Sequence, residues 1–269
     1  MKPVIKAIKR SLTIARVLMS VYYAYMVEYR AELLFWVLSG SLPLILMGVW
    51  NQATANGDFG LSSLEITRYF LAVFFARQFS VVWVVWEFER QVVEGKLSPK
   101  LLQPLDPVWH HFASHLTERF ARFPLVILLL GFFFLVYPDA IWVPDLQHGL
   151  LAALVIFLAF AVRFLMQYTL ALMAFWTERA SALENFWLLF YLFLSGMIAP
   201  LELFPPAVRN VVEWLPFPYF VHFPASLLLG WQTNVPRSLG IMLMWGVIFW
   251  VLNRWLWRRG LRHYSGMGA

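Results

Sequence analysis

Six stretches of this chain are apolar for long enough to cross a lipid bilayer, and no fold in water hides that many. A helix needs roughly 20 mostly apolar residues to traverse a hydrocarbon core ~30 Å thick. The predicted spans are Ala31 to Trp50, Tyr69 to Trp86, Phe123 to Tyr137, Leu150 to Trp176, Phe186 to Ala199 and Leu239 to Trp257. The third and fifth are short, and each extends by a few residues at its cytoplasmic end. Hydrophobic residues make up 61% of the chain and charged ones 13%, far from the balance of a soluble domain. The expected fold is therefore an all-α integral membrane protein of six transmembrane helices.

The net charge of +6 raises nucleic acid as a partner, so the positions of the charges matter. With the N-terminus inside, Lys2, Lys6, Lys9, Arg10, Arg16, Arg30, Arg90, Lys96, Lys100, Arg119, Arg122, Arg179, Arg254, Arg258, Arg259 and Arg262 fall on the cytoplasmic side, 16 of the 21 basic residues. Only Arg68, Arg209 and Arg237 fall outside, and Arg77 and Arg163 lie within spans. This asymmetry predicts a multi-pass protein of the plasma (inner) membrane with both termini cytoplasmic, and no nucleic acid partner. Trp50, Trp86, Trp142, Trp176, Trp231, Trp255 and Trp257 sit at or near span ends, where indole rings favour the interface.

The chain reads as one domain, 1–269. Across its first segment, 1–29, Lys2, Lys6, Lys9 and Arg16 occupy one helical face, and Val4, Ile8, Leu12, Ala15, Met19 and Tyr22 the other. This predicts an amphipathic connector helix lying along the cytoplasmic surface. No short apolar stretch followed by a small-residue cleavage site marks a removable signal. There is no cysteine, which excludes disulfides and thiolate chemistry.

The cytoplasmic loop 87–111 is charged at first. Gly95 is placed to end a helix, and Ser98 before Pro99 fits an N-cap followed by proline. A short helix from Pro99 to Gln103, ending before Pro104, would present Leu97, Leu101 and Leu102 away from the membrane or against its surface. On the far side, 200–230 alternates short apolar runs with Pro205, Pro206, Pro216, Pro218 and Pro224. Backbone so interrupted is tolerated at membrane depth only when buried in protein or lining a cavity, so short re-entrant or interfacial helices are expected between spans five and six.

The order Glu94, Gly95, Leu97, then Leu101, Leu102, Pro104 and Leu105 resembles the "E-G-x-L…L-L-x-P-L" signature of ABC-2 type transporter permeases. A second stretch, Ser195 to Pro205 with Leu215, Pro216, Phe217 and Pro218 and then Pro224 to Gly230, resembles the same family, as does the ending Gly260 to Gly268. Gln103 departs from it, since a basic residue is common before that proline. The resemblance implies a coupling helix at Glu94 to Leu105 that seats in a cytosolic ABC ATPase subunit. It also implies an extracytoplasmic gate at Gly196, Pro200, Phe204, Pro205, Leu215, Pro216 and Phe217. It further implies a dimer with a second copy or a related permease, and export of a hydrophobic or amphiphilic substrate such as a lipid, glycan or peptide. No phosphate-binding loop of the form G-x-x-x-x-G-K-[ST] occurs. The chain itself is therefore expected to hold no cofactor and to be no enzyme, with ATP and Mg on the partner.

Arg77 and Arg163 fall mid-span, where a charge costs at least ~2.5 to 3.5 kcal/mol unless paired or hydrated. They either face a polar transport pathway or are satisfied by Gln78, Gln167 or backbone carbonyls. His110, His111 and His115 include an i, i+4 pair, but the segment offers no further ligand besides Glu118, and no metal is expected. The runner-up function, a stand-alone secondary transporter or channel, would show inverted repeats or broken mid-membrane helices.

Overall fold

In the computed structural model, which describes residues 2–57, 59–177, 179–231 and 234–264, with side chains from Lys9 onward, the chain is helical and no strand occurs among the described residues. The helices are α1 (Lys2–Glu28), α2 (Arg30–Ser39), α3 (Leu42–Asn56), α4 (Ser63–Ser80), α5 (Val84–Val93), α6 (Ser98–Leu101) and α7 (Pro107–Val136). They continue with α8 (Leu146–Ala171), extended by a 3-10 turn Leu172–Phe175, then α9 (Ser181–Leu194), α10 (Pro206–Val212), α11 (His222–Leu228) and α12 (Val235–His263). Among the described residues, five stretches are long and apolar enough to cross a membrane: Arg30–Asn56, Ser63–Val93, Pro107–Val136, Leu146–Phe175 and Val235–His263.

The expected fifth span is the exception. Helix α9 has 14 residues, about 21 Å at 1.5 Å per residue, which is short of the hydrocarbon thickness. Its predicted end at Ala199 came from hydropathy alone. The helix stops at Leu194 because Gly196 turns the chain with φ +82°, a conformation that hydropathy does not register.

The expected third span, Phe123 to Tyr137, begins 16 residues earlier than its apolar part, since α7 starts at Pro107. Asp106 caps it, accepting from the Val108 N–H at 3.0 Å. The polar half escaped hydropathy because its charges are consumed internally. Glu118 pairs with Arg122, accepts from Trp83 Nε1 at 2.9 Å, and is 3% exposed. Arg119 and Arg122, counted above as cytoplasmic, are therefore buried inside the bundle.

Two spans are interrupted. Between α2 and α3, Arg77 Nη1 donates to Gly40 O at 3.0 Å and Gln78 Nε2 to Val37 O at 2.9 Å. A Cβ on Gly40 would lie 2.6 Å from both donors, so glycine is what lets them reach the carbonyls. Between α4 and α5, Arg119 Nε donates to Phe79 O at 2.9 Å, and its terminal nitrogens reach His115 O and Val81 O. Carbonyls freed by a broken helix in a dry interior need such donors.

Helix α1 packs along α7, with Tyr22 OH 3.2 Å from His110 Nδ1. Of its predicted basic and apolar faces, the side chains of Lys2, Val4, Lys6 and Ile8 lie outside the described residues. Lys9 and Arg16 are exposed, but on the predicted apolar face Leu12 and Ala15 are exposed as well and only Met19 and Tyr22 are half-buried.

Candidate functional site

The loop between α5 and α7 is compact. Gly95 ends α5 with φ +70°, and the chain folds back so that the Leu97 N–H donates to Gln91 O at 3.0 Å. The short helix that follows is Ser98–Leu101, starting one residue before the predicted Pro99 and ending two before the predicted Gln103. Its N-cap is Leu97, with no side-chain cap; the Ser98 hydroxyl instead lies 3.1 Å from Tyr264 OH, which joins this loop to the end of α12. Leu97 is fully buried among Phe88, Tyr168, Phe175 and Trp257 rather than offered to a partner. Leu101 packs against that cluster from its edge. Leu102 projects, 89% exposed. Glu94 and Pro104 are exposed and Leu105 is half-buried, with Lys96 Nζ 2.5 Å from Glu94 Oε2. Lys100 donates to Gln91 Oε1 at 3.0 Å, and burial holds its ammonium below the usual lysine range, with Glu87 pulling the other way.

At the other end, 200–230 folds into short helical pieces: 3-10 turns Leu201–Leu203 and Phe217–Phe220, with α10 and α11. Helix α11 is wedged between α4 and α8, with its Ala225 and Ser226 fully buried and Phe220 and Val221 buried just before it. Indole groups donate to carbonyls of the irregular backbone around it. Trp50 Nε1 donates to Ile198 O at 2.8 Å, Trp142 Nε1 to Leu228 O at 3.1 Å, and Trp245 Nε1 to Trp214 O at 2.9 Å. Trp231 stacks on Tyr69 at 5.4 Å. Trp50 and Trp142, placed at span ends by the sequence, thus also serve as donors to irregular backbone.

Of the predicted gate residues, Gly196, Pro200, Pro216 and Phe217 are buried, Phe204 and Leu215 half-buried, and Pro205 exposed. Tyr69 OH donates to Gly196 O at 2.7 Å and lies 3.1 Å from His222 Nδ1; His222 Nε2 lies 3.5 Å from Glu202 Oε1. Burial holds the His222 imidazole below its ordinary range, with Glu202 opposing. His222, Glu202, Arg209, Glu213 and Arg237 line a polar cleft of about 240 Å³, and Glu213 pairs with both arginines, at 3.1 and 3.2 Å. Sequence reading singled out neither Tyr69 nor His222, because neither belongs to a local pattern.

A Cβ on Gly196 would lie 2.6 Å from Tyr69 OH and 2.7 Å from His222 Cβ, at a φ that disfavours side chains. Gly196→Ala should therefore destabilise this end by about 2 to 5 kcal/mol in sum, from the left-handed backbone and from overpacking. Thermal unfolding in detergent would read this, and an unchanged transition would refute it.

Arg77 Nη1 serves Gly40 O, while its Nε has no hydrogen-bond partner among the described residues. Arg163, 3% exposed, lies with its guanidinium 4.1 Å from the Tyr191 ring centroid and 5.1 Å from that of Trp187. Gln167 donates to Glu184 Oε1 at 2.6 Å rather than serving Arg163. Arg163 Nε and Nη1 have no hydrogen-bond partner among the described residues. The ring nitrogens of the three histidines have different partners: His110 meets Tyr22 and Gln103, His111 lies 3.3 Å from Glu87, and His115 donates from Nδ1 to His111 O at 2.9 Å and accepts at Nε2 from the Trp83 N–H at 3.4 Å.

The family model described as an ABC-2 family transporter protein matches residues 26–268, nearly the whole chain. A comparison with curated proteins finds no match.

Proposed function

Because this chain belongs to the ABC-2 transporter family, as a membrane permease rather than a catalytic subunit, we propose that it moves a hydrophobic or amphiphilic substrate outward while a separate cytosolic ATPase supplies the energy. The loop Glu94 to Leu105 is the coupling element of this reading. The observation that carries it is the mounting of α6: Leu102 stands out into solvent, while Leu97 anchors the same turn in the core and Ser98 meets Tyr264. A short lever held from behind transmits force instead of bending.

The reading includes six crossings with both termini cytoplasmic. Ser181, at the start of α9, donates to Glu89 at 2.6 Å near the coupling loop, while Ser195 O and Ile198 O, just past its end, accept from the His222 N–H at 3.1 Å and from Trp50. These contacts support a chain that changes sides between Ser181 and Ile198 although α9 alone is short. With Arg119 and Arg122 moved inside, 14 of the 16 basic residues assigned to the cytoplasmic side remain there, which still supports the orientation. The segment 200–230, wedged in the bundle at the opposite end, is then the re-entrant gate, and ATP-driven closure of two permeases would rock it open. Arg77 acts as a brace for the interrupted first span, whereas Arg163, with free nitrogens, is the better of the two as a pathway charge.

The test is to replace 98–103 with a glycine and serine stretch of equal length and co-express the chain with an ABC ATPase that co-purifies with the unaltered permease. Loss of co-purification from a monodisperse permease is the expected result. Undiminished association would overturn the coupling assignment, and substrate movement without any ATPase would favour a secondary transporter, which the interrupted spans also suit.

A further inference from the structure

Helix α12 has 29 residues, about 43 Å of helix against a hydrocarbon core of about 30 Å, so its last turns stand at headgroup level. There Arg259 and Arg262, with His263, Trp255 and Trp176, line an open cleft of about 720 Å³ over a floor of Met173 and Leu256. The Arg259 guanidinium is held 4.6 Å from the Trp255 ring, and His263 stacks on Trp176 at 6.2 Å and 15°. Among the described residues neither Arg259 nor Arg262 has a carboxylate within ion-pair distance, whereas Arg254, one turn earlier, is paired with Asp106 at 2.8 Å. The cleft thus combines unpaired cations, indole rings and an apolar base in one place.

We propose that this cleft binds an anionic phospholipid, its phosphate between Arg259 and Arg262 and the upper part of its acyl chains along Met173 and Leu256. A lipid fits better than a soluble anion because only a lipid covers the apolar floor and the arginines together. The site also adjoins the coupling loop: Phe175, the last residue of the 3-10 turn that begins at Leu172, lies 5.8 Å from Tyr264, and Tyr264 touches Ser98. Lipid occupancy would therefore steady the end of α12 against α6.

The test uses the full chain, purified in detergent and titrated in native mass spectrometry with palmitoyl-oleoyl-phosphatidylglycerol, with the matching phosphatidylcholine, or with glycerol 3-phosphate. One phosphatidylglycerol should be retained in preference to phosphatidylcholine, with glycerol 3-phosphate neither binding nor competing. Arg259→Gln with Arg262→Gln should weaken that retention about tenfold or more, the step expected when charge-assisted contacts are lost. Arg258→Gln, which removes one charge at an exposed neighbour outside the cleft, should leave it unchanged. A phosphatidylglycerol with a photoactivatable headgroup, applied to the unmutated chain, should crosslink within 173–176 and 255–263, a readout that does not depend on any variant folding. Equal retention of both lipids, an equal loss with Arg258→Gln, binding of glycerol 3-phosphate alone, or crosslinks confined elsewhere would each overturn the proposal. So would a cleft that lipid ignores and only the ATPase subunit protects.

Discussion

Leu102→Asp should release the ATPase from an otherwise intact permease. Leu102 is 89% exposed and supports nothing inside the bundle, so a charge there leaves the fold alone. It would, however, place a carboxylate where an apolar knob is expected to enter a pocket on the motor. Truncating a central interface anchor typically costs about 2 kcal/mol or more, or roughly 30-fold in affinity, and a buried unpaired charge adds to that. Leu97→Asp should behave in the opposite order. Its side chain is fully buried beside Phe88 and Trp257, so the loop should collapse and the permease itself should lose stability before any partner is added. Size-exclusion profiles of the two variants, alone and with the ATPase, separate the effects. If both variants lost the ATPase while both stayed monodisperse and equally stable, the lever arrangement would be wrong.

Arg119→Met should cost the permease most of its folded yield. The side chain holds the broken second span together, satisfying Phe79 O and Val81 O and lying 3.9 Å over the Phe160 ring. Each buried carbonyl left without a donor costs about 1 to 3 kcal/mol, so the two together remove about 2 to 6 kcal/mol. That compares with a total stability of about 5 to 15 kcal/mol for a typical protein. Arg119→Lys should recover only part of it, since an ammonium keeps the charge but lacks the planar fork that reaches carbonyls on separate elements. Detergent-resistant yield and the thermal transition are the measurements. A methionine variant that melts with the wild type would show that the interruption is satisfied in another way.

Much of this was legible beforehand. The N-terminal helix, the proline-punctuated segment 200–230, the turn at Gly95 and the family signature were each read from a local run of residues, and each is a matter of local chemistry: periodicity, proline, or a glycine at positive φ. The readings that needed revision share another cause. The start of α7 was missed because His110 to Arg122 looks too polar to be inside a membrane bundle, and the pairing of Glu118 with Arg122 and Trp83 that makes it tolerable involves residues up to 35 positions apart. Leu97 and Leu102 look alike in sequence, and only their packing separates an anchor from a knob.

Composition and local pattern alone determined that the chain is helical and lives in a bilayer, because the transfer energy of an apolar run depends on its own residues. They also carried the family, because its signature lies in consecutive positions. The tertiary structure alone decided where the spans break, which arginines brace the breaks, which tryptophans serve the irregular backbone near 198–228, and which leucine of the loop is buried and which exposed. A hydrogen bond or a buried face depends on what lies across the bundle, and a carbonyl freed at Phe79 has no record in its own neighbourhood of the guanidinium at position 119 that satisfies it.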